Sequence, residues 1–157
     1  MRTRTLTVAI AAAAFALVGA AEISAQGAGE SRYGVWQMQS DAPPPSKNIM
    51  TYEPYGDGGM KITVASTNAR GEDNEWGYVT MFDGEFRPVE GQEGSATAVE
   101  VVDERSTRIL NQRNGRVTQV IINTLSEDGN TIDNEYVRLD ADGKITRVTH
   151  AVYKRIG

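Results

Sequence analysis

The sequence predicts an all-β protein folded as an antiparallel up-and-down β-barrel of about eight to ten strands. The first observation is a series of Asp-Gly and Asn-Gly turn signals, spaced roughly 10–20 residues apart as in a meander. The second is alternation of side chains with a period of two between those turns, which is typical of half-buried strands. A two-sheet sandwich is the competing architecture. The barrel is favoured because consecutive hairpins produce a meander and closure pairs the edge strands.

Ten strands are predicted between the turns, and no helix is predicted after residue 25. They lie near residues 33–38, 47–54, 59–67, 74–82, 86–89, 96–103, 106–112, 115–126, 131–139 and 144–154. In the third strand Met60, Ile62 and Val64 share one face. In the last strand His150 shares a face with two valines. The longest apolar run, 120–122, is β-branched throughout, which favours a strand over a helix.

Residues 1–25 are predicted to be a secretory signal peptide. Two arginines form a basic head, an apolar alanine-rich run covers residues 6–18, and small residues up to Ala25 supply a cleavage site before Gln26. This run is short for a membrane span, which needs about 20 residues. We therefore expect a periplasmic or secreted protein with no membrane span after cleavage.

The rest of the chain predicts a flexible N-terminal arm at 26–32 and a single barrel domain at 33–157. Two arginines and one glutamate leave with the leader, so 16 basic and 21 acidic residues become 14 and 20, a net charge of −6. This acidic balance argues against a nucleic-acid partner. Having no cysteine and one histidine, the chain cannot form a disulfide, a thiolate site or a three-histidine zinc site. No metal site and no cofactor are expected, and a protein partner is left open.

The stretch Gly34-Val35-Trp36 on the first strand resembles the Gly-x-Trp element of the lipocalins. The resemblance implies that Trp36 closes one end of the barrel and that a basic residue late in the chain packs across its ring. The candidates for that basic residue are Arg138, Arg147, Lys154 and Arg155.

A second resemblance covers most of residues 33–155. The motifs that carry it are Thr51-Tyr52-Glu53-Pro54, Gly58-Gly59-Met60-Lys61, Tyr78, Phe82-Asp83-Gly84, Arg87-Pro88-Val89-Glu90-Gly91 and Val152-Tyr153-Lys154. In this order they resemble a group of small exported bacterial proteins with lipocalin-like barrels and largely unknown function. The resemblance implies the fold and export, and it assigns no chemistry.

The fourth predicted strand carries an aromatic face formed by Trp76, Tyr78 and Phe82, and Tyr136 could join it from a later strand. If this face points inward, it either lines a cavity for a small hydrophobic ligand or simply fills the core. Arg138 and His150 are the candidate polar contacts to such a ligand. No residue is assigned a catalytic role.

Three functions follow from these observations. The first is an exported soluble barrel that binds a small hydrophobic ligand in its interior. The second is a small barrel isomerase or cyclase using His150 or a buried acid for proton transfer. For His150, this role requires that the side chain face an open cavity beside a carboxylate. The third is an envelope structural or interaction protein with a filled core.

Overall fold

The computed structural model describes residues 25–157, except for the side chains of Ala25, Gln26 and Ala28. One short helix, α1 (Ala25–Glu30), precedes ten antiparallel strands of a single sheet. The strands are β1 (Gly34–Met38), β2 (Lys47–Tyr55), β3 (Gly59–Thr67), β4 (Asp73–Thr80), β5 (Arg87–Pro88), β6 (Ser95–Val101), β7 (Ser106–Arg113), β8 (Arg116–Leu125), β9 (Thr131–Leu139) and β10 (Ile145–Arg155). The predicted fold class is confirmed, and the strand bounds differ from the predicted ones by at most two residues.

The strands follow the order β4-β3-β2-β1-β10-β9-β8-β7-β6-β5 around the sheet. The two ends of this order meet where Gly77 of β4 faces Glu90, just after β5. The Gly77 N–H donates to the Glu90 carbonyl (3.2 Å), and the Glu90 N–H donates back to the Gly77 carbonyl (2.8 Å). This pair of bonds closes the sheet into a barrel, so β4 and β5 are protected at this point from pairing with another chain.

One end of the barrel is closed by packed side chains around Trp36, which is completely buried. The indole Nε1–H of Trp36 donates to the Arg32 carbonyl (2.9 Å), and the Arg155 guanidinium carbon lies 4.2 Å from the ring centroid. Leu125 and Ile132 fill the same end with almost no exposure. The structure therefore selects Arg155 from the four basic candidates, and Trp36 closes the barrel as the resemblance implies.

The segment before β1 packs against this closed end and contains a helix, which corrects the expectation that no helix follows residue 25. Residues 25–30 form α1, and the Arg32 side chain is only 1% exposed. The Arg155 Nη2–H donates to the Ser31 carbonyl (2.9 Å). Sequence reasoning missed this docking because small and polar residues show no periodicity, although backbone carbonyls can still accept hydrogen bonds from an arginine.

The predicted signal peptide falls on residues that, apart from Ala25, lie outside the described part of the chain. Within residues 25–157, no helix combines the length and apolar character needed to cross a membrane.

Candidate functional site

The barrel encloses a cavity of about 790 Å³ above the packed end. Its floor is formed by buried side chains, among them Met50, Ile62 and Tyr78. Its upper wall includes exposed side chains such as Arg138 and Arg147, so the cavity opens to solvent at the end opposite Trp36. Polar or charged side chains make up half of the lining residues. The interior is therefore filled at one end and hollow at the other.

Trp76 and Tyr78 form the aromatic part of the wall. They are two residues apart on β4, so both point to the same side of the sheet. Their rings are stacked, with centroids 6.2 Å apart and an interplanar angle of 14°. Tyr78 is buried and Trp76 is half-buried. The pair presents a flat apolar surface to the cavity.

Tyr136, the aromatic residue expected from a later strand, also lines the cavity. It ends a buried chain of hydrogen bonds that begins at the closed end. The Arg32 Nε–H donates to Asn123 Oδ1 (3.1 Å), Asn123 Nδ2–H donates to Asn134 Oδ1 (2.8 Å), and Asn134 Nδ2–H donates to the Tyr136 hydroxyl (3.1 Å). Each buried polar group in this series of hydrogen bonds has a partner, which avoids the cost of an unpaired group in the core. This series of hydrogen bonds also fixes the position of the Tyr136 hydroxyl at the cavity wall.

Three further tyrosine hydroxyls near the cavity remain protonated. Burial raises the pKa of Tyr52, Tyr78 and Tyr153 above the ordinary tyrosine value. Their hydroxyl groups are therefore neutral at physiological pH, and none of them contributes a negative charge to the site.

Arg138 lies on the inward face of β9, two residues beyond Tyr136, and lines the cavity near its open end. Directly across from it on β10 is Arg147, which also lines the cavity. Arg147, one of the four basic residues considered as partners for Trp36, therefore lies at the cavity rather than at the closed end. Tyr153 on the same strand is buried in the core. Because side chains alternate between the two faces of a strand, Thr149 and Arg147 lie on the same inward face as Tyr153.

His150 is exposed and lies on the outward face of β10, opposite exposed Glu135 of β9. It touches the cavity margin because β1 ends at Met38, which leaves the upper part of β10 without a partner strand on that side. The condition set for a proton-transfer role, a side chain facing the open cavity, is therefore not met.

Phe82 is buried but lies outside the cavity lining. Strand β4 ends at Thr80, and the backbone at Phe82 turns into the left-handed region with φ of 59°. The alternation that was expected to place Phe82 beside Trp76 therefore stops two residues too early. The ring instead lies at the closed end, close to Gly29 of α1.

Several polar residues that line the cavity were not identified from the sequence. Asn111 of β7 and Gln119 of β8 face each other across the strands and are joined by a hydrogen bond from Asn111 Nδ2 to Gln119 Oε1 (3.0 Å). Their alternation with Ile109 and Ile121 was the available signal, because these isoleucines are buried. Among the described residues, no group of three His, Asp or Glu side chains is placed to hold a metal ion.

No protein-family model matches this chain, and no curated protein matches it. Among solved structures, its fold is similar to that of the fluorescent protein UnaG. The wild-type structure superimposes with a TM-score of 0.52 and 15% identity, covering 81% of this chain and 98% of UnaG. A point mutant of UnaG gives a TM-score of 0.56 and 12% identity, with 82% and 98% coverage. The similarity shows that both chains share a lipocalin-like barrel fold.

Proposed function

We propose that the protein is an exported β-barrel that binds a small hydrophobic molecule in the hollow half of its interior. The observation that carries the proposal is the cavity of about 790 Å³, which falls within the roughly 300–1,000 Å³ of typical small-molecule sites. Trp76 and Tyr78 supply the stacked aromatic surface on which an apolar group would lie. Tyr136 and Arg138 supply polar contacts closer to the open end of the cavity.

The closed end of the barrel supports this function by keeping the cavity in a fixed shape. Trp36, Arg32 and Arg155 are tied together by hydrogen bonds and by the contact between the Arg155 cation and the indole ring. A cavity whose floor is already packed requires little ordering when a ligand enters, which reduces the entropic cost of binding. The other two functions considered from the sequence have less support, since His150 faces outward and the upper barrel is hollow.

Export is part of the proposal and depends on residues 1–25. Their basic head, apolar run and small residues before Gln26 have the order of a signal peptide. Expression of the full chain in a bacterial host should yield a periplasmic or secreted protein whose N-terminal sequence begins at Gln26. Recovery of the unprocessed chain from the cytoplasm would contradict this part.

Ligand binding is tested by native mass spectrometry of the protein purified from its own host, before and after organic extraction. A reproducible added mass that extraction removes is the expected result. In parallel, the extracted protein should bind the neutral fluorescent probe N-phenyl-1-naphthylamine with a rise in probe emission. A bare polypeptide mass together with no uptake of the probe would refute the binding function.

A further inference from the structure

The two arginines at the cavity mouth form an unusual pair. Arg138 and Arg147 are direct cross-strand neighbours on β9 and β10, and both line the cavity. Like charges placed directly opposite each other on a sheet are unfavourable unless a counter-charge joins them. Within the described part of the chain, their guanidinium groups take part in no ion pair and no hydrogen bond. The N–H donors of both guanidinium groups can therefore bind an anion.

The polar residues next to this pair also supply hydrogen-bond donors that an anion could accept from. Gln119 is the cross-strand neighbour of Arg138 on the other side, and Asn111 is the next residue along. Thr97 Oγ1 donates to Asn111 Oδ1 (2.8 Å), and Asn111 Nδ2–H donates to Gln119 Oε1 (3.0 Å). This direction leaves the Gln119 amide nitrogen, on the strand next to Arg138, without an acceptor among the described residues. Within residues 25–157, this strip of the wall therefore ends in hydrogen-bond donors that no acceptor meets.

The charge of the lining is opposite to the charge of the protein. The whole chain has a net charge of −5, yet Arg113, Arg138 and Arg147 all line the cavity. No aspartate or glutamate is among the described residues that line it. Carboxylates elsewhere on the surface do neutralise arginines, for example Asp83 with Arg87. The absence of carboxylates from the cavity wall therefore leaves a local positive potential that attracts an anionic ligand.

We infer that the ligand is an anionic amphiphile. Its carboxylate, sulfate or phosphate group is held at the mouth by Arg138 and Arg147, with the Gln119 amide as a further donor. Its apolar part lies below, against Trp76 and Tyr78. Arginine provides paired N–H donors that match the geometry of such oxyanions. This inference rests on the proposed function, and it adds the charge of the ligand and the residues that recognise it.

The test compares twelve-carbon compounds that differ in the head group. The two anions are used below their critical micelle concentrations and the alcohol below its solubility in water. Dodecanoate, dodecyl phosphate and dodecanol are each titrated against the protein loaded with N-phenyl-1-naphthylamine, and probe displacement is measured. Both anions should displace the probe at concentrations about tenfold or more below that of dodecanol. Raising the salt concentration should reduce this preference, because salt screens charges near the surface.

The double variant Arg138→Gln and Arg147→Gln should lose the preference for the anions, so that dodecanoate, dodecyl phosphate and dodecanol displace the probe at similar concentrations. A matched control, Lys61→Gln with Arg116→Gln, removes the same charge from residues outside the cavity and should keep the preference. Equal displacement by the anions and dodecanol in wild type would refute the inference while leaving the proposed function intact. A preference that persists in the arginine double variant would also refute it. Failure of the wild type to bind the probe and all three compounds would refute both.

Discussion

The guanidinium group of Arg155 covers the ring of Trp36, with 4.2 Å between its central carbon and the ring centroid. The same group donates hydrogen bonds to the backbone carbonyls of Tyr33, Ser31 and Gly129. One side chain near the end of the chain therefore joins the segment before β1, the β8–β9 turn and the central tryptophan. Closure of the barrel end depends on this set of contacts.

Replacing Arg155 by Gln should lower the free energy of unfolding by about 2–4 kcal/mol. The change removes the cation from the indole face and leaves three carbonyls with weaker partners or none. Chemical denaturation of the purified protein measures the loss. Lys154→Gln is the control, since its ammonium makes one exposed hydrogen bond, to Thr131, and its loss should cost less than about 0.5 kcal/mol. Equal effects of the two variants would show that Arg155 has no special role.

Replacing Trp76 by Ala should weaken binding of N-phenyl-1-naphthylamine by about tenfold or more, because the stacked surface with Tyr78 is lost. Fluorescence titration measures the affinity. Phe82→Leu provides the opposite case. Phe82 is buried outside the cavity, so this variant should lose about 1–2 kcal/mol of stability with little change in affinity. If Phe82→Leu weakened binding as much as Trp76→Ala, the assignment of the binding wall would be wrong.

Replacing Gly77 by Ala should destabilise the fold by about 1–3 kcal/mol, because an added Cβ would lie 2.7 Å from the Ile62 carbonyl oxygen. The backbone must then shift at the residue that joins β4 to Glu90 and closes the barrel. Hydrogen exchange of the Glu90 amide should become faster than in wild type. Gly27→Ala is the control, since its added Cβ meets no atom within 4 Å, and it should leave Glu90 exchange unchanged.

The carboxyl group of Asp83 should titrate well below the ordinary range. A hydrogen-bonded ion pair with Arg87 lowers its pKa to about 2. A carboxyl whose pKa is lowered by folding stabilises the protein above its unfolded pKa, and this contribution is lost as the pH falls toward 2. The Asp83 pKa, followed by NMR, should rise in Arg87→Gln. The stability difference between wild type and this variant should shrink between about pH 4 and pH 2. A constant difference over that range would argue against the ion pair as its cause.

The positions of the strands could be predicted from the sequence because the signals are local. Turns such as Asn114-Gly115 adopt positive φ at both residues, and the alternation of Met60, Ile62 and Val64 reports a half-buried strand. The role of Trp36 in closing one end of the barrel was implied by the resemblance to the lipocalin Gly-x-Trp element. The partner of Trp36 was not, because four basic residues were candidates and only the packing of the chain ends decides among them.

The residues that line the cavity were decided by tertiary structure. On β10, the valines at 148 and 152 suggested a buried face that would include His150, but this face is turned outward and Arg147 faces inward. Apolar side chains are common on protein surfaces, so the valines did not reveal the inward face. That face is determined by the packing of Tyr153 at the filled end, a contact between distant parts of the chain. The sequence by itself therefore determined the strands, and the tertiary structure decided which side chains meet in the cavity.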